Sequence, residues 1–235
     1  MASVPKTFKQ PPSRYQPRGL NILYEDQDII VVDKTNGLLT ISTDRIKEKT
    51  AHFLLNDYVK KGNPKSKIRI FIVHRLDRDT SGVLVFAKTE EGKRYLQDNW
   101  KAFNKTYFAV VHGNFKEKEG MITSYLVENA AHRMYSTKNT EKGKLSTTGY
   151  KVIKESSNYS LLEINLLTGR KNQIRVHLAE KGHPVVGDKM YGDKGKGVKR
   201  LALHAASLTI LHPFSKEEMT FKTELPAFMK NILKN

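Results

Sequence analysis

His74-Arg75-Leu76-Asp77-Arg78-Asp79-Thr80-Ser81-Gly82 is the densest run of polar chemistry in the chain, and it opens directly into the apolar run Val83-Leu84-Val85-Phe86-Ala87. Five ionisable side chains and two hydroxyls lie here between stretches of strand composition, Ile70 to Val73 on one side and Val83 to Ala87 on the other. An ordinary charged surface loop has the same composition. A carboxylate crowded by Arg75 and Arg78 has a second reading, in which it stays ionised and oriented for nucleophilic attack or proton abstraction. On composition alone, Asp77 and Asp79 are equally suited to that task.

Working outward, Asn21 to Tyr24 and Ile29 to Asp33 are short apolar runs separated by Glu25-Asp26-Gln27-Asp28, the pattern of a strand pair joined by a polar turn, and Asn36-Gly37 marks another turn. Ala51, Leu54, Leu55, Tyr58 and Val59 repeat at helical spacing, with Gly62 and Pro64 as the stop. A second helix is expected after Thr89, with Glu90 and Glu91 at its positive end and Leu96, Trp100 and Phe103 on its apolar face. Trp100, the single tryptophan, is therefore a core residue and not a base-stacking one. Thr106 to Val111, Gly149 to Lys154 and Tyr159 to Leu167 have strand composition, the last two joined as a hairpin through Ser156-Ser157-Asn158. Asn172 to Lys181 reads as a helix stopped by Gly182, Ser207 to Leu211 and Met219 to Thr223 as strands, and Pro226 as the opening of a terminal helix. The basic, glycine-containing stretches Lys138 to Lys144 and Lys189 to Arg200 read as mobile surface loops. No second domain boundary is visible. The expected organisation is a basic, proline-rich arm over residues 1–18 and one α+β domain over residues 19–235.

The chain has 235 residues, 41 Lys+Arg against 24 Asp+Glu, and a formal charge of +17. Such a balance calls for a polyanionic partner. No apolar run approaches the roughly 20 residues of a spanning helix, so nucleic acid is expected and membrane is not. The N-terminal stretch has neither the apolar segment nor the cleavage site of a secretory signal, which places the protein in the cytoplasm. Zero cysteines exclude thiolate metal sites and cysteine nucleophiles. His177, Glu180, His183, His204 and His212 match no metal-ligand pattern, and Gly192, Gly195 and Gly197 fit neither nucleotide-loop fingerprint, so no metal and no redox cofactor is expected.

The segment from His74 to Lys88 resembles the signature of the RluA-type family of RNA pseudouridine synthases, His-Arg-Leu-Asp-x-x-Thr-Ser-Gly followed by an apolar strand and Ala-Lys. Other stretches are similar to further elements of that family, in the same order. They are Ile29 to Gly37, with Thr35 where the family has proline; Lys105-Thr106-Tyr107 with Val110 and Gly113; Thr168 to His177, followed by Gly182, Pro184, Gly187-Asp188 and Tyr191-Gly192; and Leu203-His204-Ala205 with His212-Pro213. The resemblance covers roughly residues 20 to 226.

The resemblance implies a curved, mixed but mainly antiparallel sheet with flanking helices and loops, and the isomerisation of uridines in structured RNA, either tRNA or rRNA. It selects Asp77 over Asp79 as the catalytic carboxylate, acting as a nucleophile or as a base towards the ribose. It makes Arg75 the residue that enters the RNA stack when the uridine is flipped out, Tyr107 the residue against the target base, and Arg175 the partner that keeps Asp77 ionised. His74, Thr80, Arg170 and Gln173 fall on the substrate side. Asn172 stands where the family has histidine, so whatever contact that ring makes must come here from an amide, a water or another residue. Many members carry a small RNA-binding module ahead of the catalytic domain, and about twenty residues before the first strand are too few for one. A monomer is expected. Two rivals remain at this point: a non-catalytic RNA-binding or chaperone protein of the same fold, and a hydrolase using Asp77 and Asp79 as a carboxylate pair or as metal ligands.

Overall fold

A computed structural model describes residues 8, 11–12, 16–44, 46–63, 65–192 and 198–234. Most of the N-terminal arm, Pro64, Gly195 and Gly197 lie outside the described residues. In chain order the elements are β1 Leu20–Glu25, β2 Ile29–Lys34, α1 Ala51–Lys60, β3 Phe71–Ile72, β4 Ser81–Ala87, α2 Glu90–Asp98, β5 Asn104–His112, β6 Glu119–Glu128, β7 Met134–Thr137, β8 Lys144–Glu155, β9 Tyr159–Leu166, α3 Gln173–Glu180, β10 Leu203–Leu211, β11 Glu218–Lys222 and α4 Ala227–Ile232. They fall into two compact units, Met1–Phe103 with Ala205–Thr223, and Asn104–His204 with Glu224–Asn235.

In the first unit the strand order is β1-β2-β4-β10, with β3 also paired to β4 and β11 to β10. The β1–β2, β2–β4, β3–β4 and β10–β11 pairs are antiparallel. All seven residues of β4 are buried, which is why its sequence is a continuous apolar run and not an alternating one. Val83, Val85 and Ala87 join Ile29, Val31, Leu96, Leu208, Ile210 and Phe221 in one cluster, while Phe86, on the opposite face of the pleat, stacks on His52 of α1. Helices α1 and α2 therefore cover opposite faces of β4. The α1 N-terminus is capped by the Thr50 hydroxyl accepting from Phe53 N–H, and its end is turned by Lys61 in the left-handed region. Thr89 caps α2 in the same way. That helix stops at Asp98, so Trp100 and Phe103 reach the core from the turns that follow and not from the helical face expected of them.

Gly82 sets how close β4 comes to β10. Its φ is +111°, and a Cβ built on it would lie 2.1 Å from the Ala205 carbonyl oxygen. Gly82→Ala should lower stability by about 3 kcal/mol, since it adds left-handed strain to a clash that only backbone movement can relieve. Urea unfolding measures this, and a loss under about 1 kcal/mol would mean the strands part freely.

In the second unit the order is β5-β9-β8-β6-β7, with each adjacent pair antiparallel. Ala109, Val111, Leu162, Ile164, Tyr150, Ile174 and Leu178 share a core with Met229 and Ile232 of α4. Helix α3 packs on β6, β7 and β8. The β6–β7 pair is absent from the sequence reading. Met121, Thr123 and Glu119 of β6 face outward and Ser124 and Ile122 are only half-buried, so the run has too little apolar contrast to stand out. Lys138 to Lys144 leads from β7 to β8, which lie on either side of β6, through an exposed turn in which the Asn139 side chain accepts from the N–H groups of Glu141 and Lys142. The base of the stretch 189–200 is pinned where Gly187, at φ +77°, meets the carbonyl of Arg200, 2.0 Å from where a Cβ would stand.

Candidate active site

Residues 74–82 belong to the first unit and are held from beneath by Lys34. This side chain is fully buried (0% exposed), and its ammonium donates to the carbonyls of Leu38 (2.8 Å), Thr35 (3.1 Å) and Arg78 (3.2 Å). Burial pulls its pKa down to about 8, against the opposing pull of Asp79, Asp77 and Asp33. The Thr40 hydroxyl donates to the Leu76 carbonyl (2.8 Å) and accepts from the Leu76 N–H (3.2 Å). Asn36 donates to the Asp79 carbonyl, Gly37 N–H to the Arg78 carbonyl (2.9 Å), and Thr80 N–H closes the turn onto the Asp77 carbonyl (3.1 Å). The loop is thus clamped largely through its backbone carbonyls, and the Arg78 side chain adds a bond from Nε to the Gly37 carbonyl at 3.2 Å. Asp77 is half-buried, whereas Arg75, Arg78 and Asp79 are exposed. Only Asp77 has the partial desolvation that makes a carboxylate's charge count.

His74 and Thr80 act within this loop. The His74 ring stacks on Trp100 at 4.1 Å between centroids and accepts from the Val85 N–H at 3.2 Å. Thr80 is buried to 2% exposure. Trp100 accordingly packs against a loop residue, as well as edge-on to Phe103.

In the second unit Arg175 leaves α3 into a fitted cage. Its Nε and Nη2 donate to the two Asp188 oxygens at 2.7 and 2.8 Å, and its Nη1 donates to Asn172 Oδ1 at 3.0 Å. The Tyr191 ring lies under the guanidinium, 5.2 Å from its carbon. Asn172, in the left-handed region at φ +53°, also donates through Nδ2 to the Tyr191 hydroxyl at 3.3 Å. The amide standing in the histidine position therefore bridges the arginine and the tyrosine. Burial pushes the Asp188 carboxyl up, but the Arg175 bonds and charge, with the N–H groups of Tyr191 and Met190, bring it below the usual carboxylate range.

Tyr107 sits on β5 opposite Ile164, half-buried against the unit's core. Arg170 is exposed. Gln173 is not available to substrate. Its amide is 2% exposed, accepts from Thr168 Oγ1 (2.8 Å) and Arg170 N–H (3.0 Å), and donates to the Thr147 carbonyl (3.0 Å) and Thr148 Oγ1 (2.9 Å). All of its hydrogen-bonding capacity is spent inside the protein, which makes it a support and corrects the expectation of a substrate contact. Sequence reasoning missed the supporting roles of Lys34, Asp188 and Tyr191. A lysine ending an apolar strand ordinarily reads as a solvated strand end, and nothing local announces that a distant loop buries it.

Among the described residues, one group with metal-ligand chemistry is gathered, with atoms of Asp26, Asp28 and His212 within 4.8 Å of one another. The side-chain atoms of Asp26 and His212 are engaged in other hydrogen bonds. Asp26 Oδ1 accepts from the N–H groups of Asp28 and Ile29, and Oδ2 from the Tyr24 hydroxyl (2.8 Å) and His212 Nε2 (2.9 Å). His212 Nδ1 accepts from the N–H groups of Phe214 and Ser215. The group ties the β1–β2 turn to the β10–β11 turn.

Two buried histidines add a pH dependence. Burial lowers the His204 pKa to about 4, and burial lowers that of His177 too, opposed by Glu180. A depressed folded-state pKa gives stability that is whole above the unfolded value of about 6.5 and is lost as pH falls towards the folded one. The melting temperature should therefore fall between pH 7 and pH 4.5, with a shallower fall in His204→Gln. Equal slopes in the two proteins would rule out that origin.

The profile of the family described as RNA pseudouridylate synthase matches residues 28–180. The chain is 35% identical over 217 residues to the Bacillus subtilis "Uncharacterized RNA pseudouridine synthase YhcT", covering 91% of this chain and 71% of that protein. The chain belongs to the RNA pseudouridine synthase family. It is also 34% identical to the Borreliella burgdorferi "Ribosomal large subunit pseudouridine synthase D", over 91% of this chain and 69% of that one. Among solved structures, "Human RNA Pseudouridylate Synthase Domain Containing 4" has the same fold, with a TM-score of 0.76, 23% identity and 91% of both chains covered. This pseudouridine synthase is thus an RNA-modifying isomerase of the RluA type, with the α+β, mainly antiparallel architecture that the resemblance implied. No helix among the described residues is long and apolar enough to cross a membrane.

Proposed function

We propose that the enzyme modifies a uridine in a stem-loop of ribosomal RNA, with Asp77 as its catalytic carboxylate. The observation that carries the assignment to Asp77 is the clamped loop, which half-buries this one carboxylate beside two exposed arginines. The names of the Borreliella burgdorferi relative and of the Vibrio cholerae "Ribosomal large subunit pseudouridine synthase C" favour ribosomal over transfer RNA.

In the reaction the bond from ribose C1′ to uracil N1 breaks, the base turns, C1′ joins C5, and the C5 proton leaves, with no net redox change. Flipping the uridine out of its stack costs a few kcal/mol, and the exposed Arg75 guanidinium fills the vacated space while contacting phosphate. Asp77 acts on the glycosidic centre as nucleophile or as base. Arg175 supplies positive charge to the reaction, its guanidinium held in place by Asp188 and Asn172. Tyr107 offers its ring to the uracil and its hydroxyl near C5. Arg170 contacts the RNA backbone, while His74 and Thr80 hold the loop. As part of the same proposal, the enzyme works as a monomer in the cytoplasm.

Pseudouridine mapping of ribosomal and transfer RNA from cells with and without the gene tests the target. A site lost from large-subunit rRNA on deletion, and restored in vitro by the purified protein, is the expected result. A site lost only from tRNA overturns the choice of RNA.

A further inference from the structure

The second unit contains a buried, titratable side chain to which the reaction assigns no task. His177 is 1% exposed and lies in the middle of a line of side chains joined head to tail. The line can be threaded in one order that gives each contact its own proton. Gln173 uses its carbonyl oxygen on Thr168 and Arg170, so its amide nitrogen is the end that donates to Thr148 Oγ1, at 2.9 Å. The Thr148 hydroxyl then donates to His177 Nδ1, at 2.9 Å. In this order His177 carries its proton on Nε2, which faces Ser124 Oγ at 3.0 Å. Ser136 Oγ lies 2.8 Å from Ser124 Oγ and also meets the Glu180 carboxylate; its hydroxyl is placed to donate to either, and given to Glu180 it leaves the Ser124 proton for the Ser124–Ser136 contact. The Ser136 N–H donates to the other Glu180 oxygen at 2.9 Å. A carboxylate has no proton to return and an amide NH2 cannot accept, which fixes the two ends of the order, while the direction at His177 is the tautomer to which the proposal commits.

The line has a mechanical consequence. Gln173 and His177 are four residues apart on one face of α3 and both are bonded to the single Thr148 oxygen, whereas Arg175 lies about 200° round the helix from Gln173. A rotation or slide of α3 breaks two bonds on one face and swings Arg175 on the other. Glu180 points to the same purpose. A carboxylate on the last residue of a helix opposes the helix dipole, so its place is explained by the two Ser136 donors it receives from β7 and not by helix stability.

We propose that His177, as its Nε2–H tautomer, is a positioning residue of this synthase, locking α3 to β8, β6 and β7 and so fixing the direction in which Arg175 leaves the helix. The proposal rests on the assignment of Arg175 to catalysis.

Two measurements on the full chain test it. The first is the imidazole nitrogen shifts of 15N-histidine-labelled protein, with the His177 signals identified by their loss in His177→Gln. A protonated Nε2 and an unprotonated Nδ1 are expected, and a protonated Nδ1 overturns the relay. The second is tritium release from [5-3H]uridine-labelled, transcribed ribosomal RNA. Thr148→Val should lower kcat at least tenfold with KM changed less than about twofold, and Thr148→Ser should restore it. A folded Thr148→Val with wild-type kcat overturns the proposal. Ser124→Ala, which removes a single oxygen from a half-buried site, gives the same reading if the valine variant does not fold, with a severalfold fall in kcat expected and wild-type kcat overturning it. Arg175→Gln is measured beside them. If it keeps full kcat, the assignment of Arg175 fails and takes the kinetic half of the proposal with it, while the nitrogen shifts still report on the relay alone.

Discussion

Asp77→Asn should abolish pseudouridine formation, by at least about 10³-fold in kcat, with RNA affinity changed by less than about threefold. The amide keeps the shape of the side chain and the loop beneath it, since the loop is held through backbone carbonyls bound to Lys34, Thr40 and Asn36. It can neither attack C1′ nor remove a ribose proton. Affinity survives because the change makes a chain of formal charge +17 more positive, and phosphate contacts dominate binding. Asp79→Asn is the matched comparison. Asp79 is exposed, and its loss should alter turnover by less than about threefold. Tritium release and filter binding measure both variants. Full activity in Asp77→Asn, or equal losses in the two, would remove Asp77 from the centre of the reaction.

Asp188→Ala should cost about 3–5 kcal/mol of stability, the usual range for breaking one side of a buried ion pair. The Asp188 side chain is 0% exposed and that of Arg175 only 12%. Besides the two bonds from Arg175, the carboxylate accepts from the N–H groups of Met190 (2.9 Å) and Tyr191 (3.0 Å). Alanine takes from a nearly buried guanidinium the two bonds and the charge that Asp188 supplies, and frees the turn that carries Tyr191, the ring beneath that guanidinium. Turnover should fall about 100-fold with it, because a misplacement of the order of 1 Å at a catalytic cation is enough for that. Urea unfolding and single-turnover kinetics give the two numbers. A stability loss under about 1 kcal/mol would show that Arg175 is held well enough without its partner.

The parts of the fold legible in the sequence share one physical property, contrast. Strands β2 and β4 are buried on both faces, so Ile29 to Val32 and Val83 to Ala87 appear as unbroken apolar runs. The ends of α1 and α2 are marked by Thr50 and Thr89, whose hydroxyls do the capping that their type suggests. Strands β6 and β7 lack such contrast, because one face of β6 is open and the other is lined with serine and partly buried residues. The candidate site divides in the same way. The charged loop around Asp77 is conspicuous by composition, but the choice of Asp77 over Asp79 came from family resemblance, and its physical counterpart, the difference in burial, exists only in the folded chain. Lys34 and Gln173 were illegible for a related reason. Each looks like an ordinary polar residue until segments such as 38–40 and 76–78, or 147–148 and 168–170, enclose it, and enclosure is a property of tertiary structure.

The β7–β8 turn, closed by Asn139, makes this enzyme convenient to label. The chain has no thiol of its own, and Glu141 is exposed at that turn, held by the Asn139 side chain through its backbone alone. A cysteine placed at Glu141 would be the single reactive sulfur in the protein, on a short rigid turn that follows directly from Ser136 and Thr137. A dye attached there would follow RNA arrival in real time without touching any residue assigned to the chemistry.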